Sequence, residues 1–437
     1  MDSIASELQR MSIKKKALSI VFIGHVDAGK STIGGQILYL SGRIDKRTLD
    51  KFEKESREKN RESWYLSWAL DSNPEEREKG KTTEVGYASF DLANYTVQIL
   101  DAPGHKVYVP NMILGVNQAD VAVLVISARQ NEFESGFEKG GQTREHIYLA
   151  KASGIAQICV LVNKMDDPTV NWSSDRYNHI VKSTKKMLQS LFGKDNVTYI
   201  PISGFLGLGI DKPLDSNVCP WYQGPSFFTY LDTISMPRDT EAPLFAQVTD
   251  VMKDMGSLSV FLRVERGILN KTTVKVSPGD RKLKITSISK EEEEVPDAHP
   301  GETVRIKFRE AEEVQAGDMI TALEYTNVSD SNYFMAQLSI LDATTLISKG
   351  YSAVMHMGAR TVPITIGELY KKENDKIHKV KFAKTGDKLV AEILVPQVIP
   401  LEVHAPSRRT GIFTLRDESR TVGFGKVLKI KTRREHP

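Results

Sequence analysis

Gly24-His25-Val26-Asp27-Ala28-Gly29-Lys30-Ser31 is the stretch that decides the fold of the first part of this chain. Residues 18–23, directly before it, are apolar and rich in β-branched side chains, which predicts a buried strand. Glycines let the main chain turn sharply and point its N–H groups inward, where they and the start of the next helix can hold phosphate. In such a loop the lysine reaches the β- and γ-phosphates and the serine hydroxyl coordinates Mg²⁺. A glycine-rich turn without a ligand is the competing interpretation, and the flanking strand and helix patterns favour the phosphate loop.

Asn163-Lys164-Met165-Asp166 follows a second apolar run, residues 158–162, and indicates which base is bound. The Asp166 carboxylate can accept hydrogen bonds from N1 and N2 of guanine, and adenine offers no such pair of donors. With adenine the site would leave a buried charge unpaired, a mismatch that discriminates strongly. Asn163 is expected to bond the base edge and to tie neighbouring loops, and the Lys164 stem to cover the ring. Ser203-Gly204, after the apolar residues 198–202, fits the last loop that contacts the base.

Asp101-Ala102-Pro103-Gly104-His105, after the predicted strand of residues 96–100, fits a sensor of the γ-phosphate. Asp101 would hold Mg²⁺ through water, and the Gly104 N–H would contact the γ-phosphate, so that this loop moves when the phosphate leaves. An imidazole at His105 can orient the attacking water, since phosphoryl transfer relies mainly on positioning and electrostatics. Thr82 would complete the Mg²⁺ shell in the GTP state. A packed surface histidine is the alternative for His105.

The stretches occur in the order that a GTPase needs, which predicts GTP/GDP and Mg²⁺ as cofactors. The expected catalytic residue is His105. The expected nucleotide contacts are His25, Val26, Asp27, Ala28, Gly29, Lys30, Ser31, Thr32, Gly104, Asn163, Lys164, Asp166, Ser203, Gly204 and Phe205. The expected metal ligands are Ser31, Thr82 and Asp101, the last through water.

Composition limits the function classes. The chain has 437 residues, more than one hydrophobic core usually serves, with 40% apolar and 26% charged residues. The formal net charge is only +3, which argues against general or sequence-specific nucleic-acid binding. Two cysteines support neither a disulfide framework nor a zinc site, and Cys159 falls inside a predicted core strand. No signal peptide or membrane span is evident, and a cytoplasmic protein is expected.

The pattern along the chain predicts an α/β P-loop GTPase domain with a mostly parallel sheet, followed by two antiparallel β-barrel domains. A short polar lead (1–16) precedes residues 17–237, where apolar strands alternate with helical patterns. Residues 238–328 and 329–437 consist instead of short alternating runs separated by turns, which favours two barrels.

Three segments carry smaller expectations. The charged, helix-prone residues 43–70 are interpreted as part of a mobile switch region or as a plain solvated helix. Trp64 and Trp68 would share one helix face, which is expected to pack onto the sheet domain, with a partner surface as the alternative. The polar residues 326–331 fit a linker between the barrels. The acidic residues 291–294 fit a solvated loop.

This plan resembles the translational GTPases of the elongation factor Tu and elongation factor 1-alpha class over nearly the whole chain after Ala17. Within that class, several blocks look like the eukaryotic class II peptide-chain release factor. They are Gly80-Lys81-Thr82-Thr83-Glu84-Val85-Gly86, Val109-Pro110-Asn111-Met112-Ile113, Phe137-Glu138-Lys139-Gly140-Gly141-Gln142-Thr143-Arg144-Glu145-His146, Asn163-Lys164-Met165-Asp166-Asp167-Pro168-Thr169-Val170-Asn171-Trp172, Phe413-Thr414-Leu415-Arg416-Asp417-Glu418 and Gly425-Lys426-Val427-Leu428. The resemblance implies a ribosome-stimulated GTPase whose third domain docks the class I release factor.

The chain departs from the family in places. Lys81 stands where elongation factors place an aliphatic partner for the P-loop valine, here Val26, so we expect His105 to be gated differently. Almost none of the family's long N-terminal extension precedes Ala17, so contacts of that extension, including those with poly(A)-binding protein, are not expected. Residues 392–414 look shortened, with Ile412 where the family usually has arginine. The basic residues 429–434 are a candidate ribosomal RNA contact or a solvated tail.

Four rival functions stay open at this point. The chain could be a ribosome-rescue GTPase that partners a stop-factor paralogue, or a carrier of aminoacyl-tRNA like elongation factor 1-alpha. It could also be a nucleotide-dependent scaffold without hydrolysis, or the GTPase subunit of a sulfate-activating complex. Asp167-Pro168-Thr169-Val170 favours release over elongation, and intact Asp101 and His105 argue against the scaffold.

Overall fold

The structure is a computed structural model, and it describes eleven segments of the chain. These are residues 15–58, 65–70, 85–137, 141–254, 257–291, 293–309, 313–343, 345–373, 376–405, 409–418 and 420–431. Thr82, Lys81, Trp64 and most of the polar lead lie outside them, as does the end of the basic cluster from residue 432 onward. The chain divides into two compact units.

The first unit is built on a six-stranded sheet with the order β2-β3-β1-β4-β5-β6. All neighbouring strands are parallel except β2 and β3, which are antiparallel. The strands are β1 (Lys16–Gly24), β2 (Gly86–Asp91), β3 (Tyr95–Asp101), β4 (Val121–Ser127), β5 (Gln157–Asn163) and β6 (Val197–Pro201). The helices are α1 (Lys30–Leu40), α2 (Lys46–Glu58), α3 (Val109–Gln118), α4 (Glu132–Phe137), α5 (Gln142–Ala152), α6 (Ser174–Phe192) and α7 (Phe227–Thr233).

The central strands of this sheet are buried along nearly their whole length. Every residue of β4 is buried, and β5 is buried from its second residue onward. Continuous apolar runs of this kind are expected where helices cover both faces of a parallel sheet. The predicted strands before the motifs are thus present, and Cys159 is a fully buried residue of β5. Because β1, β3 and β5 are parallel, the loops that follow them leave the same edge of the sheet.

The second unit contains two closed antiparallel barrels. In the first barrel the order is β10-β15-β7-β8-β14-β11, pairing of β10 with β11 closes the ring, and β12 extends it. In the second barrel the order is β18-β23-β24-β16-β22-β19, β18 pairs with β19, and β20 extends it. Among the described residues, each of the six strands of either ring is therefore paired on both sides, and such closure removes free sheet edges. The predicted fold class is confirmed.

The strands of the first barrel and its small two-stranded sheet are short. They are β7 (Phe245–Asp254), β8 (Ser257–Arg266), β9 (Leu269–Asn270), β10 (Thr273–Ser277), β11 (Arg281–Lys290), β12 (Glu293–Glu294), β13 (Asp297–Ala298), β14 (Thr303–Phe308) and β15 (Met319–Thr321). The second barrel and its own two-stranded sheet comprise the remaining described strands. They are β16 (Val328–Ile340), β17 (Ile347–Ser348), β18 (Ser352–Met357), β19 (Arg360–Glu373), β20 (Lys376–Val380), β21 (Phe382–Ala383), β22 (Lys388–Glu402), β23 (Ile412–Asp417) and β24 (Arg420–Ile430).

The predicted linker at residues 326–331 is wrong, because most of it belongs to a strand. β16 begins at Val328, which pairs with Glu402, and Ser331 is buried opposite Ile399. Its polar residues lie on one strand of a barrel, where polar and buried positions can alternate, and the main chain hydrogen-bonds in the sheet ladder. Polarity alone therefore did not distinguish a linker from a half-exposed strand.

The predicted helix in residues 43–70 is present over Lys46–Glu58, and a short 3₁₀ helix covers Ser67–Ala69. Trp68 is buried, which agrees with packing onto the sheet unit. The switch role of this region stays a prediction. Among the described residues, no helix is long and apolar enough to cross a membrane.

Candidate nucleotide-binding site

The loop between β1 and α1 is shaped by residues in the left-handed region. Gly29, with φ 98°, caps α1, and a Cβ at this position would lie 2.4 Å from Nδ2 of Asn163. Asp27 has φ 60°, which is uncommon outside glycine. Gly24 passes so close to β4 that a Cβ there would lie 2.3 Å from the carbonyl oxygen of Val125. The two glycines therefore satisfy close approaches that no side chain permits.

Lys30 lies inside this loop. Its side chain is buried, and Nζ donates to the carbonyl oxygens of Gly24 at 3.1 Å and His25 at 2.8 Å. Burial lowers the pKa of Lys30 to about 8, against the opposing effects of Asp101 and Asp27. An ammonium group whose charge is disfavoured by burial is stabilised by any anion that comes close. The loop thus presents a cation suited to phosphate oxygens.

The loop after β3 packs directly on the phosphate loop. Asp101 ends β3 and is fully buried. A Cβ at Gly104 would lie 2.6 Å from Nζ of Lys30 and 3.3 Å from the carbonyl oxygen of Gly24. The main chain at Gly104 therefore runs beside the ammonium group, where a γ-phosphate bound to that group would be within reach.

His105 follows at the rim of the same loop and is half-buried. Its Nδ1 accepts a long hydrogen bond, 3.4 Å, from the Val107 N–H, and its ring centroid lies 6.0 Å from that of Tyr108. A neutral imidazole that accepts at Nδ1 carries its proton on Nε2. Such a ring can hydrogen-bond to a water molecule or a phosphate oxygen without acting as a strong base.

Asn163 connects three loops of the site. It is buried, Nδ2 donates to the carbonyl oxygen of Ala28 at 2.9 Å, and Oδ1 accepts from the Gly204 N–H at 2.8 Å. A Cβ at Gly204 would lie 2.6 Å from Cγ1 of Ile33, so this loop too needs glycine. The asparagine thereby fixes the phosphate loop and the loop after β6 to the end of β5.

The other predicted base contacts lie in the two loops that Asn163 connects, which follow β5 and β6. The carboxylate of Asp166 is half-buried, and Lys164 adopts a left-handed φ of 62°. Ser203 is buried and its Oγ accepts from the Leu206 N–H at 3.2 Å. The exposed ring of Phe205 stands edge-on to Tyr65 at 6.1 Å.

The outer side of the phosphate loop borders a cleft of about 140 Å³, lined by His25, Val26, Asp27 and Ala28 together with residues of β4, α4 and α5. Burial lowers the pKa of His25, and the charge of Lys30 adds to this effect. Ser31 and Thr32 lie half-buried in the first turn of α1, beside the lysine.

Two residues of the site were missed by the sequence analysis. His146 of α5 is buried behind the phosphate loop, and its Nδ1 accepts from the Gly24 N–H at 3.1 Å. Burial, and then the charge of Lys30, lowers the pKa of His146 to about 3, so the ring is neutral. Glu132 of α4 binds the Lys164 ammonium at 2.8 Å. His146 ends one of the family-like blocks, but its contact with Gly24 joins positions 122 apart in sequence, and no local pattern indicates such a contact.

The donor set fits Mg²⁺. Ser31 offers a hydroxyl and Asp101 a carboxylate, both hard oxygen donors, and the field of Asp101 reaches Lys30. The described residues contain no cluster of three or more His, Cys, Asp or Glu side chains that could cage a metal. This pattern suits an ion that takes few protein ligands and completes its shell with water and substrate phosphates. Thr82, the third expected ligand, lies outside the described residues.

Family profiles match both ends of the chain. The elongation factor Tu GTP binding domain matches residues 15–254. The GTP-eEF1A C-terminal domain-like family matches residues 333–428.

Curated relatives match almost all of the chain. A Schizosaccharomyces pombe protein named eukaryotic peptide chain release factor GTP-binding subunit is 43% identical over 440 residues, which are 98% of this chain and 66% of the relative. A Kluyveromyces lactis protein of the same name is 43% identical over 428 residues, which are 95% of this chain and 61% of the relative. The chain thus spans slightly less than two thirds of the length of these relatives.

A solved structure agrees in fold. The crystal structure of the S. cerevisiae Ski7 GTPase-like domain, bound to GDP and inorganic phosphate, has a TM-score of 0.77 and 17% identity, with coverage of 97% of this chain and 99% of that one. At this identity the likeness concerns the fold alone.

Proposed function

We propose that this chain, which belongs to the family of the elongation factor Tu GTP binding domain, is a cytoplasmic GTPase of translation termination. It binds GTP, delivers the class I release factor to the ribosome and hydrolyses GTP to promote peptide release. The observation that carries the proposal is the 43% identity, over 98% of this chain, to a protein named as the GTP-binding subunit of a release factor. The site geometry supports it, since the phosphate, base and sensor loops meet at one edge of the parallel sheet.

The partners follow from the same premise. The second barrel, residues 329–437, is proposed to dock the class I factor, and the ribosome is proposed to complete the catalytic arrangement. The match of residues 333–428 to the C-terminal domain-like family supports a specialised role for this barrel. Chemistry on the peptidyl ester belongs to the partner, so this chain needs no residue for it.

Each loop has a distinct task in GTP binding. Lys30 and the N–H groups of the loop around it bind the phosphates, and the Gly104 N–H senses the γ-phosphate. The Asp166 carboxylate accepts from the guanine edge, while Asn163 holds the surrounding loops in place. Ser31, Thr82 and, through water, Asp101 would hold Mg²⁺, which would neutralise charge that develops on the phosphates.

Hydrolysis requires a water molecule in line with the γ-phosphorus. The water forms the new P–O bond, the bond to the β–γ bridging oxygen breaks, and GDP and inorganic phosphate are the products. His105 orients the water from the rim of the loop. Loss of the γ-phosphate removes the contact at Gly104, which lets the sensor loop relax and releases the class I factor.

The test is GTP hydrolysis by the full chain, alone and with ribosomes plus a purified class I release factor. Strong stimulation only with both, abolished by His105→Ala, is the expected result. His179→Ala is the matched control, because His179 is an exposed histidine of α6 and belongs to none of the phosphate, base and sensor loops. Stimulation by the rescue paralogue of the class I factor instead would transfer the proposal to ribosome rescue. Stimulation by neither would contradict a role with either cargo.

A further inference from the structure

We propose that Glu132 is a positioning residue of the guanine site, which holds the Lys164 side chain in the place from which its stem covers the base. The inference rests on the proposed function, since it needs a guanine nucleotide at this site. Glu132 is the first residue of α4 and lies outside all of the sequence motifs. It would act on the nucleotide only through the lysine.

Both carboxylate oxygens of Glu132 have partners, and two donors converge on one of them. Oε2 accepts from the hydroxyl of Ser127 at 2.6 Å and from Nζ of Lys164 at 2.8 Å. Oε1 accepts a longer hydrogen bond, 3.4 Å, from Nη1 of Arg129. Partial burial raises the pKa of Glu132, but the hydrogen bonds from Lys164 and Ser127 outweigh it and hold the pKa below its usual range. The carboxylate is therefore ionised near neutral pH and tied to the lysine.

A second ion pair joins the same two loops. The Nε of Arg129 donates to the Asp167 carboxylate, which is buried and also accepts from the N–H and the hydroxyl of Thr169 at 2.9 and 2.6 Å. Arg176 of α6 donates to the carbonyl oxygens of Ala128 and Arg129, each at 2.7 Å. The loop after β4 is thus fixed to the base loop after β5 at several points. The segment that leads to Glu132 is therefore held in place by several side-chain contacts.

The physical advantage is preorganisation. A lysine side chain is flexible, and ordering it costs up to about 2 kcal/mol of rotamer entropy. If Glu132 fixes the ammonium before the nucleotide arrives, binding does not have to supply that ordering. The left-handed backbone at Lys164, directly after β5, already fixes the direction in which its side chain leaves the main chain. The stem can then pack on the ring face at lower entropic cost.

This role predicts a specific pattern of effects. The lysine stem contacts the face of the base, whereas Asp166 contacts its edge. Loss of the Glu132 charge should therefore weaken GDP and inosine diphosphate equally, because inosine lacks only the exocyclic amino group at the edge. Loss of the Asp166 carboxylate should instead reduce the preference for GDP over inosine diphosphate.

The experiment measures dissociation constants and dissociation rates of fluorescent GDP and inosine diphosphate for Glu132→Gln, Lys164→Met and the double variant. Glu132→Gln is expected to weaken both nucleotides about fivefold, as for a partly exposed ion pair. In the Lys164→Met background it should have no further effect, because the group through which it acts is gone. Asp175→Asn, an exposed carboxylate in the first turn of α6, is the matched control and should leave affinity unchanged.

Three results would overturn the inference. The first is unchanged affinity in Glu132→Gln, the second is full additivity with Lys164→Met, and the third is a changed ratio of GDP to inosine diphosphate affinity in Glu132→Gln. Equal melting temperatures of the variants exclude a general loss of fold as the cause. Failure of the unmodified chain to bind GDP would overturn the proposed function itself, and the inference with it.

Discussion

The parallel sheet and the two barrels both bury charged side chains, but they satisfy them in different ways. At the edge of the sheet, buried Lys30 donates to two main-chain carbonyl oxygens, and its pKa is lowered by burial. In the barrels, two arginines, the buried Arg360 and the half-buried Arg266, meet carboxylates. Arg360 binds Asp318, and Arg266 binds Glu402 at 3.2 Å.

The barrel pairs join elements that are far apart in sequence. Arg266 of the first barrel donates to Tyr325 and to Glu402 of the second, and its guanidinium lies 4.7 Å from the centroid of the Phe245 ring. Thr410 donates to the same carboxylate. Burial raises the pKa of Asp318 although Arg360 and Arg281 flank it. At Asp318 the cost of desolvation therefore exceeds the attraction of the two arginines, and removal of Arg360 would leave a costly buried charge.

The different partners indicate different roles for the buried charges of the barrels and of the sheet edge. A buried ion whose partner is a carboxylate of the same chain contributes to folding once both are in place. A buried ammonium group held by main-chain carbonyls, at the carboxyl edge of a parallel sheet, is better satisfied by an anionic ligand. Truncating the two kinds of residue should therefore give opposite results for stability and for binding.

The largest effect is expected at Arg360. Arg360→Met leaves the buried Asp318 carboxylate without its main partner and should lower the free energy of unfolding by about 3 kcal/mol, with nucleotide affinity unchanged. Urea unfolding followed by far-UV circular dichroism measures the loss. Combining it with Asp318→Asn, which removes the charge but keeps an acceptor, should recover most of the stability. A double variant as unstable as Arg360→Met would contradict this account of the barrel charges.

Lys30→Met should show the opposite profile. Without the ammonium group, affinity for GDP and GTP should fall by about a hundredfold, as when one partner of a buried charge pair is truncated. Without nucleotide, the melting temperature should stay equal or rise, because a buried cation is replaced by an apolar side chain of similar length. Titration calorimetry and thermal melting give the two readouts. A clearly lower melting temperature would mean that Lys30 is structural, like Arg360, and the comparison would fail.

A pH effect is expected from His356 of the second barrel. Burial, and then the charge of Arg416, lowers the pKa of His356 to about 4, while the unfolded value is near 6.5. Between these values the unfolded state binds more protons than the folded state. The contribution of His356 to the free energy of unfolding is therefore fully present above pH 6.5 and is lost as the pH drops toward 4. The wild type should lose about 2 kcal/mol more than His356→Gln between pH 7 and pH 4.5. Urea midpoints at both pH values test this, and parallel losses in both proteins would refute it.

The smallest effect is expected at His146. His146→Leu leaves the buried Gly24 N–H without its acceptor and should speed GDP dissociation about tenfold. His146→Asn places an oxygen near the position of Nδ1 and should restore a rate close to that of the wild type. Stopped-flow displacement of fluorescent GDP measures both. Equal rates in the two variants would show that His146 fills space and does not position the phosphate loop.

Much of this protein could be predicted from its sequence. The resemblance to the eukaryotic class II release factor is confirmed by the curated relatives, and the fold class is confirmed as well. The strands before the motifs were found because a fully buried parallel strand is a continuous apolar run. The individual roles of Lys30, Asp166 and His105 in binding and catalysis stay predictions, as do the domain limits.

The structure differs from the prediction where the local composition of a segment is compatible with two kinds of structure. Residues 326–331 are polar in the manner of a linker, yet Val328 begins a strand whose partner, Glu402, lies more than seventy positions away. The pairing partner, and not the local segment, makes these residues a strand. Local patterns carry no information about such a partner.

The sequence by itself determined the glycine-rich loop after β1, the tetrapeptide predicted to select the base, and the succession of a parallel α/β unit and two barrels. These features are encoded over a few consecutive residues, because main-chain turns, strand burial and helix starts depend on neighbours along the chain. Only the tertiary structure decided that His146 holds Gly24, that Glu132 holds Lys164 and that Arg360 neutralises Asp318. Each of these contacts joins residues far apart in the chain, and the free energy of such a buried polar contact depends on the folded environment, which exists only once distant segments have met.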